Sequence, residues 1–266
     1  SVTPSPKVLA IELDPSALEV ATARVEAYAD NVTLVRGSYA DVGEIGPENG
    51  FSSVDGLLMD LGISSRQIDT GERGFSFQYD APLDMRFDTS QALSAHDIVN
   101  NYSEEDLANV IYEFGEERKS RRIARTIVRN RPVETTGQLA ELVVRAIGRP
   151  RKGRIHPATR TFQGIRIAVN GELDNLSAGL NSVVSLLSAG GRLVVIAYHS
   201  LEDRIVKNFM RKESSDCICP PEAPQCVCDH VKTLRLVSRR VIQPTSEEVE
   251  ANPRSRSAKL RVAERV

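Results

Sequence analysis

A chain of 266 residues, 41% hydrophobic and 26% charged, is long enough to bury a substantial core as one large domain or two modest ones. It has no run of about twenty apolar residues, which excludes a membrane-spanning helix. The formal charge of -2 excludes an overall polyanion-binding composition, so any such surface has to be local.

The first element is the strand KVLAIELD, Lys7 to Asp14, which ends in the acids Glu12 and Asp14. Asp14 reads as the cap of a helix with Pro15 at its first position and Leu18, Ala21, Val25 and Tyr28 at helical spacing. In nucleotide-binding α/β folds an acid ending the second strand takes the ribose hydroxyls, which makes Glu12 the candidate; an acid before a helix is more often only a cap. A further strand, Val32 to Val35, runs into Gly37-Ser38-Tyr39, where Tyr39 suits stacking on a purine or an ordinary half-buried position.

Val54 to Met59 is a short apolar run bounded by turn residues and predicts a strand buried on both faces. Asp60, Gly62, Ser64, Ser65 and Gln67 follow it, at the strand end where open α/β sheets hold ligands. The remainder to Asp88 carries Gly71, Gly74 and Pro82 among Phe75, Phe77 and Tyr79, and predicts an ordered loop beside a pocket.

Helices without strands come next. Ser94 to Asn101 is followed by Ser103 as an N-cap and a helix through Phe114; after Gly115, Glu116 to Arg129 continues with Ile123, Ile127 and Val128 on its apolar side. Thr135 or Thr136 starts a helix that stops at Gly148, and Arg154 to Ala168 forms another, with Pro157 at its start and Phe162, Ile165 and Val169 inward. Arg118 to Arg131 holds seven basic residues and Arg145 to Arg166 seven more, with no acid in either. A charge run is usually a solvated helix face, but two acid-free runs this close suit a polyanion surface, with His156, Arg160 and Arg166 facing phosphates.

The α/β pattern then resumes with an amphipathic helix, Leu176 to Leu187, the turn Ala189-Gly190-Gly191 and the strand Arg192 to Tyr198, which ends at His199. Leu201 to Arg211 is a helix, and Leu234 to Val241 and Lys259 to Ala263 are two last strands. Between that helix and the first of these strands, Cys217-Ile-Cys219 and Cys226-Val-Cys228, with His230 close by, hold all four cysteines of the chain. A cysteine-free core points to a reducing compartment. The paired cysteines resemble a metal clip without the CxxC spacing of common zinc sites, so no metal ligand is assigned; a free or oxidisable thiol cluster is the alternative.

Four segments carry a specific likeness: DGLLMDLGISSRQIDTGERGFSFQYDAPLDMRFD, HPATRTFQGIRIAVNGEL, GGRLVVIAYHSLEDRIVKNFM and NPRSRSAKLRVAER. In this order they resemble the ribosomal RNA small-subunit methyltransferase H family, also called MraW, over essentially the whole chain. The resemblance implies an α/β class I (Rossmann-like) S-adenosylmethionine-dependent methyltransferase, residues 1–90 and 176–266, with an inserted helical RNA-recognition domain at 91–175. The implied reaction is methylation of the N4 of one cytidine in the decoding region of small-subunit (16S) ribosomal RNA, in the cytoplasm, on an assembled or nearly assembled subunit. Oligomeric state stays open between monomer and homodimer.

Residue by residue, the resemblance and the pattern together put the cofactor on Glu12, Tyr39, Asp60 and Gln67. Asp60 would stabilise charge growing on N4, helped by Ser64 or Ser65, and His199 would shuttle a proton or serve structurally. Arg118, Arg121, Arg122, Arg125, His156, Arg160 and Arg166 would hold RNA, with Phe75, Phe77 or Phe162 stacking on the displaced base. The family begins with a strand and a Gly-rich loop upstream of this sequence's first strand; the expectation is therefore an N-terminally incomplete chain, whose two neighbouring strands lose a row of partners. The alternative is a non-catalytic RNA-binding or ribosome-assembly protein retaining the fold. A nicotinamide-dependent oxidoreductase finds no supporting residues.

Overall fold

The structure, a computed structural model, describes residues 6–149, 155–220, 223 and 225–266. In chain order its elements are β1 (Val8–Glu12), α1 (Pro15–Val25), β2 (Val32–Arg36), α2 (Val42–Glu48), β3 (Val54–Asp60), α3 (Ser65–Asp69), α4 (Ala95–Asn101), α5 (Glu104–Glu113), α6 (Ser120–Val128), α7 (Thr136–Ile147), α8 (Ala158–Asn170), α9 (Glu172–Leu186), β4 (Leu187–Ala197), α10 (Ser200–Glu213), β5 (Leu234–Leu236), α11 (Ser246–Ala251) and β6 (Lys259–Arg265). They fall into two compact units, one running to Gly62 and resuming over Leu173–Val266, the other spanning Ile63–Glu172. No helix among the described residues is long and apolar enough to cross a membrane.

In the first unit β1 and β2 pair in parallel, and a second sheet runs β3-β4-β6-β5 with β3 and β4 parallel and β6 antiparallel to both of its neighbours. Parallel neighbours need crossover segments, and α1 supplies the one between β1 and β2. Asp14, fully buried, starts α1 as expected by accepting the Ser16 N–H at 2.9 Å. The core is built where α9 and α10 lay Leu176, Leu180, Val183, Val206 and Met210 on Leu193 and Val195 of β4 and Ala263 of β6. Each such side chain contributes roughly 1.5–3 kcal/mol on burial.

Two strand expectations are corrected. β3 is not buried on both faces: Met59 is 5% exposed but Leu58 is 65% exposed. Among the described residues β1 bonds only to β2 and β3 only to β4, so each keeps one unpaired edge. The strand expected over Leu234 to Val241 shortens to β5, because the chain turns where the Ser238 hydroxyl donates to the Arg240 carbonyl at 2.6 Å.

The second unit is a helical layer closed by local caps. Ser94, Ser103 and Thr135 each accept the backbone N–H three residues on, opening α4, α5 and α7. Leu107 and Ile111 of α5, Ile123 and Ile127 of α6, Leu139 and Val143 of α7, and Phe162 and Ile165 of α8 form one core. Gly115 and Gly164 let α5 and α8 approach backbone to backbone: a Cβ on Gly115 would lie 2.4 Å from the Arg160 carbonyl oxygen.

The stretch between residues 63 and 90 belongs with these helices, so the division falls after Gly62 rather than near residue 90. Phe75, Leu83 and Met85 enter the helical core. Thr136 accepts the Ala81 N–H at 3.0 Å and donates to the Tyr79 carbonyl at 2.8 Å; Asn170 donates to the Met85 carbonyl and accepts the Phe87 N–H, both at 2.7 Å. These bonds hold the loop in place, and the short helix α3 leads into it.

Candidate active site

The acids picked out at strand ends sit at the carboxyl ends of β1 and β3. Glu12 is half-buried, and its Oε1 accepts the Asp14 N–H at 2.8 Å. Tyr39 opens a short turn after β2, where the Ser38 hydroxyl accepts the Ala40 N–H at 3.1 Å. Its ring is half-buried against the core that holds Met59, and Gly179 of α9 gives it room: a Cβ there would lie 2.7 Å from the Tyr39 carbonyl oxygen.

Asp60 is exposed at the end of β3, and its Oδ1 accepts the hydroxyl of Tyr198 at 3.1 Å. The parallel register pairs Asp60 with Ile196, which brings the residue just past β4 to the same edge. Burial, then the charge and hydrogen bond of Asp60, push the Tyr198 phenol up to about 12. Tyr198 was not among the expected site residues; its position directly before His199 at a strand end was the available signal.

His199 is the N-cap of α10. Its Nδ1 accepts the Glu202 N–H at 3.4 Å, and Glu202 Oε2 in return accepts the N–H groups of Tyr198 at 2.9 Å and His199 at 3.3 Å. Nε2 lies 3.1 Å from Glu202 Oε1, with both side chains buried. In this geometry the ring takes part in a capping box at the start of α10.

Ser64, Ser65 and Gln67 begin the second unit. Ser64 and Gln67 are bonded to each other, the Ser64 hydroxyl accepting the Gln67 N–H at 3.2 Å and Gln67 Oε1 accepting the Ser64 N–H at 2.9 Å. This box starts α3 and buries Gln67, while Ser65 stays exposed.

On α6 the side chains segregate: Ile123, Ala124 and Ile127 are buried, and Arg121, Arg122 and Arg125 are exposed, as is Arg118 just upstream. Arg125 also bonds Glu104 at 3.1 Å across the surface. Arg160 is exposed and donates to the Glu116 carbonyl at 3.2 Å. His156 accepts the Ala158 N–H at 3.2 Å and lies 4.6 Å from the Phe77 ring.

Two expected RNA contacts are turned inward. Phe162 is 4% exposed because α8 packs that face into the helical core. Arg166 holds Glu172 in a two-pronged pair, both bonds at 2.8 Å, with the side chains 12% and 6% exposed. Of the candidate stacking rings Phe75 is also buried, which leaves the half-buried Phe77. Arg151, Lys152 and Arg154 of the second basic run lie outside the described residues.

Comparison with known proteins gives the family. The whole chain, residues 1–266, matches the family described as the MraW methylase family. A ribosomal RNA small subunit methyltransferase H of Dehalococcoides mccartyi is 54% identical over 263 residues, covering 99% of this chain and 75% of that protein. Proteins of the same name are similar from Thermomicrobium roseum, 52% identical over 266 residues with 99% and 81% covered, and from Brevibacillus brevis, 48% identical over 269 residues with 100% and 86% covered. The chain belongs to the MraW methylase family, and its α/β unit has the class I methyltransferase fold.

Proposed function

We propose that the chain methylates the exocyclic N4 of a cytidine in small-subunit ribosomal RNA, with S-adenosylmethionine as the methyl donor and the helical unit as the RNA-holding surface. The observation that carries the reading is the exposed Asp60 carboxylate at the end of β3, held at 3.1 Å by the Tyr198 hydroxyl. Membership of a methylase family supplies the reaction class.

The residues fit the donor. Glu12 and Asp60 end parallel strands, the edge at which such sheets take nucleotide-like ligands, and a carboxylate is the acceptor a ribose diol needs. When bound, S-adenosylmethionine supplies a methyl group activated on a sulfonium centre. The N4 of cytosine is a weak nucleophile because its lone pair is shared with the ring, so alignment at about 3–3.5 Å has to supply much of the rate. Positive charge grows on N4, and the Asp60 carboxylate accepts from that amine and lowers the energy of the charge. Tyr198, its phenol pushed up to about 12, remains protonated near neutrality; it orients Asp60 and is not itself a base.

On the helical unit, Arg118, Arg121, Arg122 and Arg125 offer exposed guanidinium groups to the phosphate backbone. Phe77 and His156 offer an aromatic surface to an unstacked base. The substrate we assign is the assembled or nearly assembled small subunit, in the cytoplasm. The test is transfer of labelled methyl groups to small subunits from cells lacking the modification, followed by nucleoside analysis. The expected product is N4-methylcytidine, lost in Asp60→Asn; label in another nucleoside would overturn the acceptor, and RNA binding without any transfer would favour an assembly role.

A further inference from the structure

The connection from Glu213, the end of α10, to Leu234, the start of β5, contains no helix or strand among its described residues. A connection of that length without internal structure is uncommon in a compact domain unless something closes it. Apolar packing does not close it: Ile218 is 44% exposed, Val231 73% and Val227 80%. Its ends are tied together, the Thr233 N–H donating to the Glu213 carbonyl at 2.9 Å and the Thr233 hydroxyl to Glu213 Oε2 at 2.6 Å.

Between those ends four sulfurs converge. Cys217 Sγ is 3.5 Å from Cys226 Sγ and 3.8 Å from Cys228 Sγ, and Cys226 and Cys228 are 3.5 Å apart. Together with Cys219 the four Sγ atoms all lie within 4.8 Å of one another. A disulfide needs about 2.05 Å, so these are free thiols. Four sulfurs about 2.3 Å from a central zinc ion form a tetrahedron with edges of about 3.8 Å, close to the spacing found here.

The backbone is also arranged around sulfur acceptors. The N–H groups of Cys219, Ile218 and Val227 point at Cys217 Sγ, Cys228 Sγ and Cys219 Sγ at 3.4, 3.5 and 3.3 Å. A thiol is a weak acceptor, whereas a metal-bound thiolate is strengthened by such donors. The CxC spacing departs from the common zinc motif, yet the two limbs fold face to face and bring all four sulfurs to one point.

We propose that Cys217, Cys219, Cys226 and Cys228 form a closed four-thiolate zinc site that pins the connection between α10 and β5. Four sulfurs in tetrahedral array select a thiophilic ion, and a shell filled by four protein ligands is that of a structural centre rather than a catalytic one.

The test uses the full chain without an affinity tag, purified in reductant without added metal. Elemental analysis is expected to find about one zinc per chain. After chelation and titration with cobalt, the strong visible bands of tetrahedral cobalt thiolate should appear and vanish on adding zinc. The double variant Cys217→Ser, Cys228→Ser should lose both signals. Because the cobalt titration is made on the unaltered chain, a variant that fails to fold does not decide the matter. An unaltered chain without zinc and without cobalt–thiolate bands, or one whose cysteines are found by mass spectrometry as two disulfides, overturns the proposal.

Discussion

The hydroxyl of Tyr198 donates to the carboxylate of Asp60 across the ends of two parallel strands, at 3.1 Å. A donor held in that way fixes the direction in which the carboxylate presents its remaining lone pairs. Asp60→Asn keeps the shape and removes the charge, and is expected to slow single-turnover methyl transfer by about 10²–10³-fold. Tyr198→Phe removes only the orienting bond, of about 1 kcal/mol, and is expected to slow transfer by about 5–10-fold. Tyr198→Phe should leave the affinity for S-adenosylhomocysteine within a few-fold, whereas Asp60→Asn, at a residue that also faces the cofactor, should weaken it; transfer rates unchanged in both variants would take the pair out of the chemistry.

Gly179 gives a separate handle on the neighbourhood of Tyr39. In a helix interior, Gly to Ala ordinarily stabilises by about 1 kcal/mol. Here the new Cβ would meet the Tyr39 carbonyl oxygen at 2.7 Å and Tyr39 Cδ2 at 3.2 Å, and backbone cannot step aside as a flexible side chain does. Gly179→Ala is therefore expected to cost about 1–3 kcal/mol in urea unfolding. If Tyr39 lines the cofactor site, affinity for S-adenosylhomocysteine falls as well; lower stability with unaltered affinity would remove Tyr39 from that site.

What could be read in the sequence was local. The caps at Asp14, Ser94, Ser103 and Thr135 act on an N–H two or three residues on, so spacing alone exposes them. Glu12 and Asp60 were legible because an acid at the end of an apolar run marks a strand end. The bond from Tyr198 to Asp60 joins residues 138 apart and depends on the register of β3 with β4, which no local pattern encodes. Helical spacing put Phe162 inward beside Ile165 and Val169, where it lies, so offering the same ring to RNA was at odds with that pattern; Arg166 suits RNA by type, and its pairing with Glu172 depends on packing that no local pattern encodes. The allegiance of the segment after Gly62 was equally hidden, since Thr136 and Asn170, far along the chain, hold it.

The exposed face of α6 predicts a salt dependence. Replacing Arg121 or Arg122 with Ala should weaken RNA binding and reduce the slope of log K against log salt by about 0.7–0.9 for each phosphate that is no longer neutralised. Arg125, partly engaged with Glu104 in an exposed pair, should change the slope less. Phe162→Ala should leave the slope alone and instead cost about 3–5 kcal/mol of stability, because it empties a core position. A full slope in the Arg121→Ala, Arg122→Ala double variant would mean that RNA docks elsewhere.

Asp84 and Arg86 set an acid limit on the helical unit. Arg86 donates from Nε to Asp84 Oδ1 at 2.9 Å and from Nη2 to Oδ2 at 2.8 Å, and its own N–H reaches Oδ1 at 2.9 Å. Burial by itself raises the acid, but the hydrogen bonds and charge of Arg86 outweigh it and hold Asp84 below the usual carboxylate range. A carboxylate whose folded pKa is depressed contributes stability above its unfolded pKa, about 3.9, and loses it as the pH falls through the lower folded value. The same turn carries the start of α4, whose Ala95 N–H donates to the Asp84 carbonyl at 2.8 Å, so loss of the pair is expected to loosen that helix first. Asp84→Asn should then unfold at lower urea than the unaltered chain at pH 7, with the gap closing as the pH falls below about 4. A gap that stays constant across that range would mean that the carboxylate's charge is not what this turn depends on, and that its shape and hydrogen bonds suffice.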